Sequence, residues 1–224
     1  MRFRTPGALA VGLAMATAVI TGCEPSGSPE TQIESTAPPS PEAVQELVGP
    51  GCVAYAKKYA TGPGSVVAMA DQSASDGIKD HPLLRLFASA ISGELNERVD
   101  LTQELDSGEF TIFAPTDDAF RAKLPKQWTQ TLAQPGSADA LTDVVSHHVV
   151  IGQRAPGELS GRLETRGGEK VTVERDGDRI RIGDQANVVC GGLRTANATI
   201  YLIDSVLMPP PRATPSASPT AAVP

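Results

Sequence analysis

Hydrophobic residues are distributed unevenly along this chain of 224 residues. Residues 8–20 are almost wholly apolar, whereas a long mixed segment further on alternates apolar and polar positions as a packed core requires. Two stretches rich in Pro, Ser and Thr flank the mixed segment and hold too few large apolar residues to bury a core. The pattern predicts four parts: a leader over 1–22, a disordered tether over 23–42, one domain over 43–210 and a disordered tail over 211–224.

The first half of the predicted domain has helical periodicity. Short apolar stretches predict helices over 43–48, ended by a Gly-Pro-Gly turn, over 52–59 and over 65–70. A longer helix is predicted over 81–95, since Pro82 suits a first turn and apolar residues recur there on one face. These residues, which we expect in the core, are Leu83, Leu84, Phe87, Ile91 and Leu95.

The second half contains alternation with a period of two, which is typical of strands. Residues 171–182, VTVERDGDRIRI, predict a hairpin whose loop is Asp176-Gly177. In that register the paired residues on one face are apolar, and an acid faces a base on the other. The predicted pairs are Val171 with Ile182, Val173 with Ile180, and Glu174 with Arg179.

Four further segments are predicted as strands. Each is short and rich in Val, Ile, Phe or Thr, at 110–114, 145–150, 188–190 and 199–207. Helices in the first half and strands in the second indicate an α+β domain.

The start of the chain has the order of an export signal. Arg2 and Arg4 precede the apolar run of 8–20, which reaches about 20 Å as a helix, against roughly 30 Å for a bilayer core. The run ends at Ile-Thr-Gly-Cys, which resembles the lipobox of bacterial lipoproteins, whose cysteine receives acyl chains such as palmitate. We therefore expect lipidation of Cys23 and attachment to the cell membrane on its extracytoplasmic face.

The charge of the chain narrows the classes of partner that it can bind. The formal net charge of −7, without a Lys/Arg cluster, argues against binding to nucleic acid.

The chain has three cysteines, so lipidation of Cys23 leaves Cys52 and Cys190 for other roles. In an exported protein these two thiols are expected to form a disulfide that closes a loop of more than a hundred residues. The alternative is two buried free thiols.

Two stretches are candidates for chemistry, and each has a simpler structural interpretation. Asp117 and Asp118 follow Thr116, a good helix N-cap, and acids in a first turn favour the helix dipole. His147 and His148 are adjacent on a predicted strand, so they should point to opposite faces and cannot close on one metal ion. We therefore expect no catalytic residue, no metal and no cofactor.

Two short motifs near the end of the domain are also interpreted structurally. Gly191-Gly192, directly after Cys190, predicts a turn or bulge rather than a phosphate-binding loop. Asn197-Ala198-Thr199 matches a eukaryotic glycosylation acceptor, but the lipobox indicates a bacterium, so we discount that match.

Several stretches resemble signature motifs of the fasciclin family. TIFAPTDDAF over 111–120 is similar to the first box, and IYLIDSVLMP over 200–209 is similar to the second. Between them, VVSHHVVIG over 144–152 resembles the central Tyr-His element and its following strand. The shorter motifs GPGC, TGP and VVCGG resemble those of actinobacterial secreted and lipid-anchored fasciclin antigens. Together these motifs cover nearly the whole of 43–210.

The resemblance implies a single fasciclin domain, a wedge or sandwich of about seven strands flanked by helices. It also implies a bridge between Cys52 and Cys190 and a buried structural role for His148, whereas His147 stands where the family usually has Tyr. The family-motif residues, expected to be structural, are Thr111, Phe113, Pro115, Thr116, Asp117, Phe120, His148 and Asp204.

Two functions remain open from the sequence. Because fasciclin domains are extracellular modules, the resemblance implies a lipid-anchored surface protein that mediates adhesion or binds an extracellular protein or glycan. The alternative is an envelope carrier that holds a small hydrophobic ligand or lipid between sheet and helices. No dedicated motif supports the carrier, but an internal cavity would.

Overall fold

The computed structural model describes residues 47–123 and 126–210. The predicted leader, the lipidation residue Cys23, the tether, residues 43–46 and the tail over 211–224 lie outside these ranges. Within the ranges, no helix combines the length and the apolar content needed to cross a bilayer.

The strands of the described ranges form one mixed sheet of seven strands. They are β1 (Phe110–Pro115), β2 (Val149–Ile151), β3 (Gly161–Glu164), β4 (Lys170–Asp176), β5 (Arg179–Ile182), β6 (Ala186–Arg194) and β7 (Ala198–Ile203). Their order is β2-β1-β7-β6-β5-β4-β3, with β1 and β7 parallel and all other neighbours antiparallel. A bridge between Val150 and Thr165 brings the β2 edge to the β3 side, so the sheet is nearly closed.

Eight short α-helices of the described ranges accompany the sheet. They are α1 (Cys52–Lys58), α2 (Val66–Ala70), α3 (Ala74–Lys79), α4 (Arg85–Ile91), α5 (Thr102–Ser107), α6 (Asp117–Lys123), α7 (Lys126–Leu132) and α8 (Ala138–His147). Ser65 and Ser73 cap α2 and α3, because each hydroxyl accepts a backbone N–H bond at 3.2 Å. The helices predicted over 52–59 and 65–70 are therefore confirmed, and the architecture is α+β as predicted.

The central strands separate two hydrophobic cores. Along β7, Ile200 and Leu202 belong to the core shared with the helices. Tyr201 and Ile203 belong to the second core, which the curved sheet encloses. Because β7 is buried on both faces, its sequence is a continuous apolar run instead of an alternating one.

A disulfide joins Cys52 at the start of α1 to Cys190 in β6, which confirms the predicted pairing. The two residues are 138 positions apart, so the bridge connects the first helix of the domain to its penultimate strand. Beside it, Val48 and Gly191 exchange both backbone hydrogen bonds, at 3.0 and 2.7 Å. The start of the described chain is thus fixed to β6 both covalently and by β-pairing.

The helix predicted over 43–48 is wrong at its described end. Val48 forms a β-bridge and Leu47 is irregular, while residues 43–46 lie outside the described ranges. Gly49 has a φ of +126°, and a Cβ there would lie 2.6 Å from the Val189 carbonyl oxygen. The close approach to β6 and the positive φ both require glycine at this position.

The helix predicted over 81–95 is shorter and spans only Arg85–Ile91. Before it, the His81 Nδ1 accepts a hydrogen bond from the Leu83 backbone N–H at 3.2 Å, which holds a turn. After it, Gly93 at φ +80° interrupts the helix. Three of the five predicted core residues are fully buried, and the other two pack against the core.

The predicted hairpin exists, but its register is wrong by two residues. The loop is Gly177-Asp178, because Gly177 takes the first loop position at φ +58°. Since the side-chain period of a strand is two, this shift leaves the same apolar residues on the buried face. The observed pairs are Val173 with Ile182, Glu174 with Arg181, Arg175 with Ile180 and Asp176 with Arg179.

The strand predicted over 145–150 is wrong in its first part. Helix α8 continues to His147, and β2 begins only at Val149. The argument that His147 and His148 alternate along a strand therefore fails, because both lie at the end of a helix. Val145, the first residue of the predicted strand, is instead buried in α8 together with Leu141 and Val144, which precede it at helical spacing.

Other strand boundaries also differ from the prediction. The strand predicted over 188–190 is the middle of the longer β6, and the strand predicted over 199–207 ends at Ile203. The pairing of β6 with β7 shifts register between Gly191 and Leu193, which confirms the predicted bulge. Helices α3, α5, α7 and α8 and strand β3 are not predicted from the sequence.

Candidate functional site

Thr111 and Phe113 of the first family motif fix β1 within the sheet. The Thr111 Oγ1 donates a hydrogen bond to the Gly152 carbonyl at 2.7 Å and accepts one from the Arg154 N–H at 3.0 Å. The Phe113 ring contacts the Tyr201 ring, with centroids 6.0 Å apart. Both motif side chains are fully buried, so neither is available to a ligand.

The rest of the first motif ends β1 and begins α6. Pro115 is the last residue of the strand, and the Thr116 hydroxyl caps the helix by accepting a backbone N–H bond at 3.2 Å. The Asp117 carboxylate accepts a bond from the Leu86 N–H at 2.9 Å and thereby joins α6 to α4. Phe120 packs against the core. This geometry gives Asp117 a structural role in joining the two helices.

His148 connects α8 to the segment after β7. Its Nδ1 donates to the Val144 carbonyl at 2.7 Å, and its Nε2 accepts a bond from the Leu207 N–H at 2.9 Å. Both nitrogens are satisfied only in the neutral ring, and burial lowers the pKa of His148 to about 4. The side chain is thus a buried neutral connector.

A second buried histidine, His81, is part of a short chain of hydrogen bonds. Because the Leu83 N–H donates to Nδ1, the proton must be on Nε2, which donates to the Tyr55 hydroxyl at 2.7 Å. The Tyr55 hydroxyl donates in turn to the Gly64 carbonyl. Burial lowers the pKa of His81 to about 4 and raises the pKa of Tyr55, so both groups are neutral near pH 7.

Asp204 of the second family motif is exposed and joins β6 to the end of β7. Its two carboxylate oxygens accept bonds from the backbone N–H and the side-chain amide of Asn187, at 2.8 and 2.9 Å. Asp118, the other acid considered from the sequence, forms an exposed ion pair with Arg121 at 3.0 Å. Within the described ranges, no group of three or more His, Cys, Asp or Glu is placed to hold a metal ion.

The glycosylation-like motif has a structural function as well. The Asn197 amide nitrogen donates to the carbonyls of Leu105 and Gly108, both at 2.7 Å, and its oxygen accepts from the Ala74 N–H at 2.8 Å. The amide hydrogens therefore connect the end of α5 to the start of β7, and the amide oxygen connects the start of α3 to it.

A cleft of about 250 Å³ opens where α7, α8 and the segment after β7 meet. His147 in this lining is only 4% exposed, and its Nδ1 lies 3.2 Å from the Glu169 Oε2 without an aligned hydrogen bond. Burial lowers the pKa of His147, and the neighbouring Glu169 carboxylate opposes that shift. The cleft, called the Trp128 cleft below, is lined by Trp128, Asp143, His147, Glu169, Met208 and Pro209, with Ala140, Val144, Gly167 and Pro210.

An apolar cavity beneath α4, α6, α7 and α8 tests the carrier hypothesis. Phe87, Phe120 and Leu132 are among its lining residues, and its volume is about 20 Å³. Sites for small molecules usually measure roughly 300–1,000 Å³, and one water occupies about 30 Å³. A lipid could enter only if these helices separated, so the cavity gives the carrier hypothesis no support.

The sequence reasoning did not identify the Trp128 cleft. One signal was available: Trp128 is the only tryptophan of the chain and is flanked by polar residues, in KQWTQT. Tryptophan combines a large apolar ring with an N–H donor, which suits a surface that is partly apolar and partly polar. Its neighbours Asp143 and Glu169 come from separate segments, so no local motif connects them.

Comparison with known proteins places this geometry in a family. The fasciclin domain model matches residues 89–209. The immunogenic protein MPB70 of Mycobacterium bovis is 45% identical over 170 residues, which are 76% of this chain and 86% of that protein. The cell surface glycolipoprotein MPB83 of the same organism is 38% identical over an alignment of 217 positions, gaps included, that covers 92% of this chain and 96% of that protein.

Solved structures agree on the fold. The FAS1 domain pair of the insect cell adhesion molecule fasciclin I matches with a TM-score of 0.50 and 18% identity, covering 62% of this chain and 52% of that one. At this identity the similarity concerns the fold alone. The family match spans more than half of the chain, and the mycobacterial relatives exceed 30% identity over more than three quarters of it. The chain therefore belongs to the fasciclin domain family, which is known from cell adhesion proteins and mycobacterial surface antigens.

Proposed function

We propose that this chain is a lipid-anchored cell-surface protein, attached through Cys23, whose fasciclin domain binds an extracellular protein or glycan and thereby mediates adhesion. The observation that carries the proposal is the similarity to a cell surface glycolipoprotein over 92% of this chain. Only about 18 residues of 224 lie outside that alignment, so Cys23 falls within it. The lipobox-like Ile-Thr-Gly-Cys at 20–23 supplies the chemistry for the anchor.

The described residues favour binding over catalysis. Side chains of the family motifs are committed to caps, packing and backbone hydrogen bonds, as with Thr111, Asp117 and His148. Catalysis needs a nucleophile, its base and a free position for the reacting atom, and these motif side chains offer none of the three. The bridge between Cys52 and Cys190 suits an oxidising compartment outside the cytoplasm.

The anchor is tested with Cys23→Ala in the producing cell. A clickable palmitate analogue should label the wild-type protein and leave the variant unlabelled, and the variant should leave the membrane fraction. The variant lacks the acyl chains that stable attachment requires, so nearly all of it should be absent from the membrane fraction. Ser26→Ala in the tether is the matched control and should behave like the wild type. Equal membrane retention of Cys23→Ala would overturn the anchoring.

Adhesion is tested with cells that display either the whole chain or a version lacking residues 43–210, both with the same leader and Cys23. Each strain is applied to arrays of immobilised matrix proteins and glycans. We expect deletion of the domain to abolish binding to at least one surface. An identical binding profile for the two strains would refute the adhesive function.

A further inference from the structure

The Trp128 cleft offers a chemistry that the family motifs do not use. It combines one indole ring and apolar residues of the segment after β7 with three polar side chains, Asp143, His147 and Glu169. We propose that this cleft binds a single pyranose residue of an extracellular glycan. The inference rests on the proposed function and narrows its partner to a glycan.

The size of the cleft selects a ligand group of about one ring. Its volume of about 250 Å³ is slightly below the roughly 300–1,000 Å³ of sites that enclose a drug-sized molecule. A lipid chain or a folded peptide segment would need a longer groove. One sugar ring, with the rest of the glycan in solvent, matches the available space.

The indole supplies the apolar half of the site. Trp128 remains 36% exposed although tryptophan gains more from burial than most side chains. An exposed tryptophan offers a large, rigid contact surface at a low cost in conformational entropy. A pyranose has an apolar face of C–H groups, which can lie flat on such a ring.

The polar side chains supply the other half. The Glu169 carboxylate at the edge of the cleft accepts hydrogen bonds from hydroxyl groups. The His147 Nδ1 and the Glu169 Oε2 lie 3.2 Å apart and are both buried, so His147 positions the Glu169 side chain, which is 32% exposed and lines the cleft.

The chain carries its own probe for this site, because Trp128 is its only tryptophan. The whole chain, purified in a detergent without a sugar headgroup, is titrated with methyl α-D-mannopyranoside, methyl α-D-glucopyranoside and methyl β-D-galactopyranoside. We expect a saturable change in tryptophan emission with at least one of them. The dissociation constant should be on the order of 1 mM, as a ligand of about a dozen heavy atoms reaches at ordinary efficiency. Sorbitol, which has the hydroxyls but no ring, should give no saturation.

Variants locate the binding by saturation-transfer NMR, which does not need the indole. Trp128→Ala and Glu169→Gln should each weaken binding at least tenfold, and Trp128→Phe should restore part of it. Val67→Ala, an exposed apolar residue outside the cleft, is the matched control and should bind as the wild type does. Because Trp128 is at the surface, its variants should keep the wild-type circular dichroism spectrum.

Three results would overturn the proposal: no saturable response to any pyranoside, undiminished binding by Trp128→Ala, or saturation by Nα-acetyl-lysine amide alone. The last result would assign the cleft to a cationic side chain of a protein. If adhesion depends on the domain while no pyranoside binds, the cleft proposal fails and the adhesive function stands. If a pyranoside binds while deletion of the domain leaves adhesion unchanged, the adhesive function fails and the cleft proposal stands.

Discussion

Lowering the pH from 7 to 5 should destabilise this fold through two buried histidines. In both rings, one nitrogen accepts a bond from a backbone N–H: the Leu83 N–H donates to His81 Nδ1, and the Leu207 N–H donates to His148 Nε2. Protonation of either ring would place its new N–H group opposite the backbone N–H that donates to it, and the two donors would repel each other. The folded state therefore stabilises the neutral form of each ring and lowers its pKa.

The sign and size of the effect follow from linkage. Burial lowers the pKa of each ring from 6.5 to about 4, so the unfolded chain binds these protons first as the pH falls. Each histidine contributes stability that is fully present above pH 6.5 and is lost between 6.5 and 4. At pH 5 the free energy of unfolding should be lower than at pH 7 by about 2 kcal/mol for each histidine, and by about 4 kcal/mol for both.

The assay is urea unfolding followed by the emission of the single tryptophan, at pH 7 and pH 5, with the disulfide intact. His81→Asn and His148→Gln each place an amide oxygen near the accepting nitrogen and remove the titration. Each variant should lose about 2 kcal/mol less than the wild type between the two pH values. Carboxylates titrate equally in all three proteins, so they cancel in this comparison.

The reasoning is refuted if the wild type and both variants lose the same free energy between pH 7 and pH 5. A second measurement does not depend on variants that fold. The ring C–H signals of His81 and His148 in the NMR spectrum of the native protein should not move between these pH values. Titration of either ring with a midpoint near 6.5 would contradict its burial as a neutral connector.

Three further predictions concern packing and cross-links. Reducing the bridge between Cys52 and Cys190 should lower the free energy of unfolding by about 5 kcal/mol, measured by urea titration with and without reductant, because the loop spans 138 positions. Gly191→Ala should cost about 3 kcal/mol, since its Cβ would lie 2.0 Å from a buried tyrosine ring, whereas Gly157→Ala, with open space, should be nearly neutral. Asn197→Ala removes three part-buried hydrogen bonds and should lower the free energy of unfolding by about 2–4 kcal/mol, measured by urea titration.

Elements with a clear period could be predicted from the sequence, and registers could not. The apolar alternation in 171–182 predicts the buried face of the hairpin correctly, yet two registers of equal parity satisfy it. The choice depends on the loop, where Gly177 adopts φ +58°. The strand predicted over 145–150 is wrong in its first part for a related reason. A short apolar stretch fits the end of a helix and the start of a strand equally well.

The site was harder to predict than the fold because it is assembled from distant segments. Trp128 lies on a helix of seven residues, His147 ends another helix, and Glu169 precedes β4. Each of these side chains is ordinary in its own sequence context. Only the packing of α7 and α8 against the segment after β7 brings them to one cleft, and periodicity contains no information about that packing.

The motifs that identify this family specify its scaffold. Thr111 and His148 use the hydrogen-bonding groups of their side chains inside the domain. A side chain with no free donor or acceptor cannot discriminate between partners. We therefore expect specificity to come from residues other than these two, so membership of the family predicts the fold of a relative more directly than its ligand. Exchanging Trp128 cleft residues between relatives should move binding preference while leaving stability unchanged.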